Sequence, residues 1–415
     1  MQLETKDDIN TDSTLNTNQN NDLDNTAHQY PQKKRIVFAF IEAGLGHIMP
    51  MRATCEVFKE KYGDKCEVIE SYFLREEGNE ALNWLADEKV KEVKKVNKNK
   101  PLGTIQHVFM NIVGNKITTT WLHKSYWKKA YKDAVNRAAS YNADLIFNTY
   151  FSTLYYAAEA KMLGLTNAKI VTFCPDPHVG VQWDRRGDIM ALSAASGVKT
   201  ESKKARYKKG LSKAVEVPFL IRKEIADYTL TRNEYKEMLG IPKDKFTVLL
   251  ADGAYGAAKL KNTVYELLKL KAPIAIIAAC GRNEELYQEF LNIVPPSHID
   301  FRPFGFTDKM LQFAATSDLL VGRSAASMIA ESAYFGSPAI ITRTSTGVEK
   351  WICDYHAKKV KSALKITNIK QIAKAVDKFA QNPNTLYPFI KATKIYHRTD
   401  GAEKMADILW QELNS

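Results

Sequence analysis

Ile36-Val37-Phe38-Ala39-Phe40 runs toward Gly44-Leu45-Gly46-His47 and then into a helical stretch that reaches Phe58. The five apolar residues do not alternate with polar ones, so both faces of the segment call for burial. That is how a strand reads inside a parallel sheet covered by helices on each side. The glycines that follow allow close backbone approach, and the helix opens with its N-terminal amides turned toward the turn. The unit is strand, glycine turn, helix. Similar short runs recur at Leu145-Ile146-Phe147, Ile170-Val171-Thr172-Phe173, Val248-Leu249-Leu250, Ile274-Ala275-Ile276-Ile277, Leu319-Leu320-Val321 and Ala339-Ile340-Ile341, many of them separated by helical segments. The expected fold class is α/β.

At 415 residues the chain exceeds the roughly 100–200 residues of one domain, so two are expected. A charged stretch ending in Leu239-Gly240-Ile241-Pro242-Lys243-Asp244 precedes a fresh strand–glycine–helix unit from Val248 to Leu268. This reading places a disordered tail at 1–33, a first domain at 34–222 and a second domain at 243–394. A C-terminal helix in 395–415 is expected to return to the first domain. Ligands of doubly wound sheets bind at the carboxyl ends of the strands, and two such sheets facing each other put the site in the cleft between them.

Apolar residues make up 45% and charged residues 26%, which excludes wholesale disorder. No uncharged apolar run approaches the roughly 18–20 residues of a bilayer span. Met1-Gln2-Leu3-Glu4-Thr5-Lys6-Asp7-Asp8 lacks the basic-then-apolar pattern of a signal peptide, so a cytoplasmic protein is expected. Cys55, Cys66, Cys174, Cys280 and Cys353 are odd in number and show no C-x-x-C spacing, and they read as buried small residues. Charge is unevenly placed. The first 32 residues hold Glu4, Asp7, Asp8, Asp12, Asp22 and Asp24 against Lys6, a net −5 within a chain of +12, which leaves +17 for the remainder. Such a surface fits an anionic partner: nucleic acid, an anionic lipid surface or a phosphorylated substrate.

Three motifs can carry chemistry. Gly44-Leu45-Gly46-His47 sits at a strand-to-helix turn, where a structural turn with an incidental histidine is the competing reading. Asp252-Gly253-Ala254-Tyr255-Gly256 follows Val248–Leu250 and can cradle a phosphate with backbone amides. The third, Arg323-Ser324-Ala325-Ala326-Ser327 with Glu331 and then Gly336-Ser337-Pro338, opens a helix with small residues after a buried strand. A carboxylate at Glu331 can accept both hydroxyls of a ribose whose diphosphate rests on the helix N-terminus. A solvated or structural glutamate is the alternative.

The stretch from Ala278-Ala279-Cys280-Gly281-Arg282-Asn283-Glu284 through Phe304-Gly305-Phe306-Thr307-Asp308-Lys309-Met310 to Glu331 resembles the nucleotide-sugar half of glycosyltransferase family 28. That family contains the peptidoglycan N-acetylglucosaminyltransferase, the monogalactosyldiacylglycerol synthases and the processive diacylglycerol glucosyltransferases. Arg323-Ser324-x-Ala326 with Glu331 is similar to the peptidoglycan enzyme's signature, and Cys280 to Glu284 resembles the diacylglycerol enzymes. The resemblance extends more thinly to Gly44–His47 and to Pro175-Asp176 with Trp183 and Asp188. It implies the GT-B architecture of two facing Rossmann-like domains, a UDP-sugar on the C-terminal domain, a lipid acceptor on the N-terminal domain, and inversion at the anomeric carbon. Carried over by motif, Glu331 holds the ribose. Gly253, Ala254, Tyr255 and Gly256 with Ser324, Ala325, Ala326 and Ser327 hold the diphosphate region, and Arg282, Phe306 and Glu349 complete the donor site. Gly44 and Gly46 form the acceptor-side loop, and His47 is the catalytic base, with Asp176 as its rival.

The chain departs from the pattern in two places. Gly322-Arg323-Ser324-Ala325 stands where the diacylglycerol enzymes have a lysine-proline-glycine-glycine turn, and Val348 and Ile352 stand where the family has a sugar-binding glutamine and an asparagine. A valine cannot hydrogen-bond a hexose hydroxyl, so the sugar is left open. No cofactor is expected, since the UDP-sugar is a substrate. No metal site is expected either: the only D-x-D spacing, Asp22-Leu23-Asp24, lies in the Asp-rich tail, and Asp176-Pro177-His178 offers only two ligands.

Basic and aromatic residues interleave in Trp121-Leu122-His123-Lys124-Ser125-Tyr126-Trp127-Lys128-Lys129-Ala130-Tyr131-Lys132. Read as one helix, Trp121, Lys124, Lys128 and Tyr131 share a face with Trp127 and Lys132 at its margins, which suits a lipid headgroup layer. A core-packing helix with a basic edge is the alternative. With the basic runs Lys89–Lys100 and Lys199–Lys213, the expectation is a peripheral protein on an anionic membrane surface at the inner face of the cell membrane. Nucleic acid is disfavoured because no nucleic-acid module is recognisable. The expected activity is transfer of a hexose from a UDP-sugar to a membrane lipid such as diacylglycerol. The alternatives are N-acetylglucosamine transfer to a polyprenyl-linked peptidoglycan precursor and a catalytically degenerate lipid- or nucleotide-binding protein.

Overall fold

A computed structural model describes residues 33–41, 45–98, 120–176, 179, 183, 187–193, 213–253, 258–344 and 347–415. Lys34–Ser415 forms one compact unit. Its first half holds β1 (Arg35–Phe40), α1 (Leu45–Tyr62), β2 (Glu67–Tyr72), α2 (Glu80–Lys98), α3 (Lys128–Ser140), β3 (Leu145–Asn148), α4 (Phe151–Met162), β4 (Lys169–Cys174), β5 (Ile189–Ser193) and β6 (Lys213–Val217). These strands form a parallel sheet in the order β2-β1-β3-β4-β5-β6. Side chains alternate across it. Ile36, Phe38 and Phe40 enter an apolar layer with Met51, Phe58 and Leu409, while Val37, Ala39 and Ile41 enter the opposite layer with Ala134, Leu154 and Tyr156. The unbroken apolar run of β1 thus serves two buried faces.

The second half contains α5 (Arg232–Met238), β7 (Phe246–Ala251), α6 (Ala258–Leu267), β8 (Ile274–Ala279), α7 (Glu284–Leu291), β9 (Asp300–Phe304), α8 (Met310–Thr316), β10 (Leu319–Arg323), α9 (Ala326–Tyr334), β11 (Ala339–Arg343), α10 (Gly347–Asp354), β12 (Ala363–Lys365), α11 (Ile369–Gln381), α12 (Tyr387–Ala392) and α13 (Gly401–Asn414). Its sheet, also parallel, runs β12-β11-β10-β7-β8-β9. The same alternation holds: Val248 and Leu250 enter one layer, Leu249 and Ala251 the other.

The C-terminal helix α13 lies against α1 of the first half. Trp410 stacks on Tyr62 with ring centroids 4.6 Å apart, and the Tyr62 hydroxyl donates to Asp407 at 2.7 Å. Gly401 lets the head of α13 approach the segment after β6, because a Cβ there would stand 2.4 Å from the carbonyl oxygen of Phe219. Leu311, Ala330 and Ala333 of the second half share the apolar layer that contains Met51 and Phe58, so α8 and α9 pack toward α1.

Each sheet reverses its strand order once. In the first the reversal falls between β1 and β3, and in the second between β7 and β10. Loops leaving the carboxyl ends of such strand pairs diverge and open a crevice. His47 follows β1, Asp252-Gly253 follow β7, and Arg323 ends β10 with Ser324 just beyond it. The folded order therefore places the chemistry-bearing motifs at the two crevices.

Candidate functional site

At the first crevice the His47 Nδ1 lies 2.8 Å from the carbonyl oxygen of Thr149, just beyond β3, and the Thr149 hydroxyl donates to the His47 carbonyl at 2.7 Å. A carbonyl only accepts, so Nδ1 carries the proton and Nε2 of the neutral ring presents a lone pair. Tyr150 meets the imidazole edge-on at 4.9 Å, and Trp183 lies 6.5 Å from it. His47 is half-buried; Asp176 is 6% exposed and accepts from Trp183 Nε1 at 3.0 Å. The structure therefore brings His47 near Trp183, and Trp183 onto the buried Asp176. Gly46 stands in the opening turn of α1, with open space where a Cβ would project. Gly44 lies outside the described residues.

At the second crevice two close approaches shape the floor. A Cβ on Gly322 would stand 2.0 Å from the Ala251 carbonyl oxygen, so β10 can pair there with β7 only as glycine. Gly253 has φ +86°, and a Cβ on it would meet the Arg323 guanidinium carbon at 3.2 Å. Ala254, Tyr255 and Gly256 lie outside the described residues. Ser324 and Ser327 are 1% and 8% exposed, and neither hydroxyl has a hydrogen-bond partner among the described residues. Buried hydroxyls without partners are uncommon in native proteins, and these two flank the N-terminus of α9, where helix amides favour an anion. Ala325 caps that helix without a side-chain bond, and Ala326 opens it.

Glu331 shares a face of α9 with Ser327, one turn further on. It is 5% exposed, and its Oε1 accepts from Arg222 Nε at 3.0 Å. Burial pushes its carboxyl above the usual range, against the opposing pull of Arg222. The sequence expectation did not include Arg222, which comes from the segment after β6 and also donates to Glu224 at 2.7 Å.

A charged cluster closes the crevice toward β11. Asp252, 4% exposed, accepts from Arg343 Nε at 3.2 Å, and Glu349 Oε1 lies 3.8 Å from Arg323 Nε. Lys259 donates to the carbonyls of Thr342 and Thr367 at 2.6 and 2.5 Å. Val348 and Ile352 of α10 pack into the apolar layer beneath the sheet. At the other end, past β8 and β9, the Arg282 guanidinium sits 4.7 Å above the ring of Phe306, which is 60% exposed. Neither Asp252 nor Arg343 was singled out from sequence, although Asp252 belongs to the quoted glycine turn.

The aromatic-basic segment differs from its expectation. A π-helical turn spans Leu122–Tyr126 before α3 begins at Lys128, and its wider winding breaks the 3.6-residue register. Trp127, expected at the margin of a surface face, is instead 7% exposed, with Lys89 Nζ 3.4 Å from its ring centroid. Trp121 is 63% exposed, and Lys124, Lys128 and Lys132 are exposed beside it; Lys124 lies 3.5 Å from Glu159. Most of the basic run Lys199–Lys213 is outside the described residues. Among the described residues no helix is long and apolar enough to cross a membrane, and no three His, Cys, Asp or Glu side chains converge as a metal ligand set.

Residues 247–409 match the glycosyltransferase family 28 C-terminal domain. A UDP-N-acetylglucosamine–N-acetylmuramyl-(pentapeptide) pyrophosphoryl-undecaprenol N-acetylglucosamine transferase from Carboxydothermus hydrogenoformans is 27% identical over 38% of this chain and 40% of its own length. A processive diacylglycerol beta-glucosyltransferase from Bacillus pumilus is 22% identical over 36% of this chain and 41% of its own. The chain thus spans about 40% of the length of these curated relatives. Among solved structures, Acinetobacter baumannii MurG superposes with a TM-score of 0.55 at 13% identity, covering 91% of this chain and 99% of that one. A UDP-glucosyltransferase from Polygonum tinctorium does so with 0.55 at 10% identity, covering 92% and 99%. The fold is GT-B.

Proposed function

We propose that the chain, whose residues 247–409 match the glycosyltransferase family 28 C-terminal domain, is an inverting glycosyltransferase that moves a hexose from a UDP-sugar to a membrane lipid, with diacylglycerol as the acceptor. The observation that carries the reading is the pair of buried, unpartnered hydroxyls of Ser324 and Ser327 at the head of α9, with the Glu331 carboxylate one turn on. A nucleoside diphosphate supplies phosphate oxygens for the two hydroxyls and the helix amides, and its ribose hydroxyls can donate to the carboxylate beside Arg222. The exposed Phe306 ring under Arg282 gives the uracil a stacking surface.

His47 is the base. Its Nε2 takes the proton of the acceptor hydroxyl as that oxygen bonds to the anomeric carbon and the bond from that carbon to the diphosphate breaks. Thr149 fixes the tautomer, and Asp176 holds Trp183 beside the ring. UDP leaves with the added negative charge, which the α9 amides and nearby Arg323 stabilise. No cofactor or fixed metal enters this scheme. The exposed Trp121, Lys124, Lys128 and Lys132 seat the acceptor half on an anionic membrane at the cytoplasmic face.

One second reading has its own support. Arg323-Ser324-x-Ala326 with Glu331, together with the C. hydrogenoformans relative, favours N-acetylglucosamine transfer to a polyprenyl-linked peptidoglycan precursor. Incubating the purified chain with UDP-glucose, UDP-galactose or UDP-N-acetylglucosamine and total lipid extract, then identifying products by mass spectrometry, decides between them. A hexosylated diacylglycerol supports the first reading and an N-acetylhexosaminylated polyprenyl precursor the second. UDP binding without any product identifies a degenerate nucleotide-binding protein.

A further inference from the structure

One polar atom at the second crevice is not used by the donor scheme above. Asp252 Oδ1 is held by Arg343, but Oδ2 is buried and has no hydrogen-bond partner among the described residues. The side chain of Asp252 is 3% exposed and that of Arg343 7%. A carboxylate oxygen shielded from water with nothing donating to it is costly to keep, and it marks a place that a donor group completes.

The position of Asp252 narrows what that group is. It sits at the carboxyl end of β7, where the strand order reverses, and Arg343 reaches it from the end of β11, across β10. Arg323 and Lys259 act on it electrostatically together with Arg343. Of the four parts of a UDP-sugar, the diphosphate only accepts hydrogen bonds and is repelled by a carboxylate. The ribose is assigned to Glu331, and the uracil to Phe306 and Arg282 beyond β8 and β9. The glycosyl group remains, and it carries the hydroxyl donors that Oδ2 lacks. It falls on the β11 side, where Glu349 gives a second acceptor near Arg323 and where Val348 and Ile352 of α10 are turned into the apolar layer.

We propose that Asp252 is a specificity-determining residue whose Oδ2 accepts a hydrogen bond from a hydroxyl of the transferred sugar, and that Arg343 is the positioning residue that holds the carboxylate for it. The inference rests on the UDP-sugar reading and deepens it: the glycosyl group is recognised by an anionic acceptor on the glycine turn itself. A donor sugar lacking that hydroxyl leaves the buried oxygen unpaired, so discrimination exceeds what shape alone provides.

The test uses the full chain and two measurements. First, calorimetry on the wild type compares UDP-glucose, UDP-galactose and UDP-N-acetylglucosamine with UDP, and then compares the tightest of the three with analogues that each lack one sugar hydroxyl. One analogue should bind about tenfold more weakly than its parent. Second, Asp252→Asn should weaken the parent UDP-sugar about tenfold relative to UDP and erase the difference between parent and that analogue, as a closed mutant cycle requires. Arg343→Lys should keep that difference within about threefold. If every deoxy analogue binds the wild type like its parent, the inference is overturned whether or not Asp252→Asn folds. It is equally overturned if Asp252→Asn weakens UDP and UDP-sugar alike. Failure of the wild type to bind UDP at all refutes the underlying donor-site reading instead, and the inference falls with it.

Discussion

Replacing Glu331 by glutamine separates a nucleotide ligand from a packing residue. The substitution keeps the size and one carbonyl oxygen of a side chain that is 5% exposed, so no cavity forms. Its cost to the unliganded fold is set by Arg222, whose Nε loses an ionised partner at 3.0 Å but whose Nη1 keeps Glu224 at 2.7 Å. Burial already disfavours the charged carboxylate, and replacement of a buried charge by a neutral isostere offsets part of the lost attraction. The expected loss of stability is on the order of 1–2 kcal/mol, less than for a pair left with a bare buried charge. Nucleotide affinity responds more strongly. A hydrogen bond to a charged group is worth roughly 1.5–3 kcal/mol, so UDP should bind about one to two decades more weakly. Calorimetric titration with UDP and with its 2′-deoxyribose analogue reads this directly. The wild type should distinguish the two ligands and Glu331→Gln should not. UDP affinity within about twofold of the wild type, with the melting transition strongly lowered, refutes the assignment and makes Arg222–Glu331 an internal strut.

Three other outcomes are expected. His47→Ala should lower turnover by about 10²–10⁴ with little change in UDP affinity, whereas retained turnover combined with its loss in Asp176→Asn reverses the two roles. Liposome sedimentation should require anionic lipid and weaken with salt, Lys→Gln changes at Lys124, Lys128 and Lys132 should flatten that salt dependence, and Trp121→Ala should lower the binding left at high salt; Trp127→Ala should lower the melting temperature instead. Burial lowers His356 to about 3 from 6.5, between Ser362 Oγ at 3.0 Å and the Tyr396 hydroxyl at 2.9 Å. The unfolded chain therefore takes up this proton first. The contribution of His356 to stability is complete above about pH 6.5 and falls by up to about 1.4 kcal/mol per pH unit toward pH 3. Denaturant midpoints at pH 7, 6 and 5 should show the decline, and His356→Gln should shrink it.

The interior of the fold was legible in sequence because each central strand is buried on both faces, as the runs at Ile36–Phe40 and Ile274–Ile277 show. The edges were not. The edge strands β2 (Glu67–Tyr72), β6 (Lys213–Val217) and β9 (Asp300–Phe304) carry charges and half-exposed positions, and β12 is three residues long, so none forms an apolar run. β5, Ile189–Ser193, is fully buried, but its apolar run is only four residues long and follows the charged sequence Asp184-Arg185-Arg186-Gly187-Asp188. Motif spacing set His47, Ser324 and Ser327 just beyond strand ends and Glu331 one turn into the following helix, and the structure has them at those places. Arg222 and Arg343 escaped because their roles depend on which distant segment the topology brings alongside: Glu331 is 109 residues from Arg222, and Asp252 is 91 from Arg343. Trp127 was misplaced for a local reason, the π-helical turn at Leu122–Tyr126, whose extra winding no heptad or 3.6-residue count anticipates.

A crystal structure of the chain soaked with UDP should show diphosphate oxygens within hydrogen-bond distance of the Ser324 and Ser327 hydroxyls at the head of α9, both ribose hydroxyls on Glu331, and uracil against Phe306. UDP bound elsewhere, with both serine hydroxyls still unpaired and no ribose hydroxyl on Glu331, would rule out this donor site.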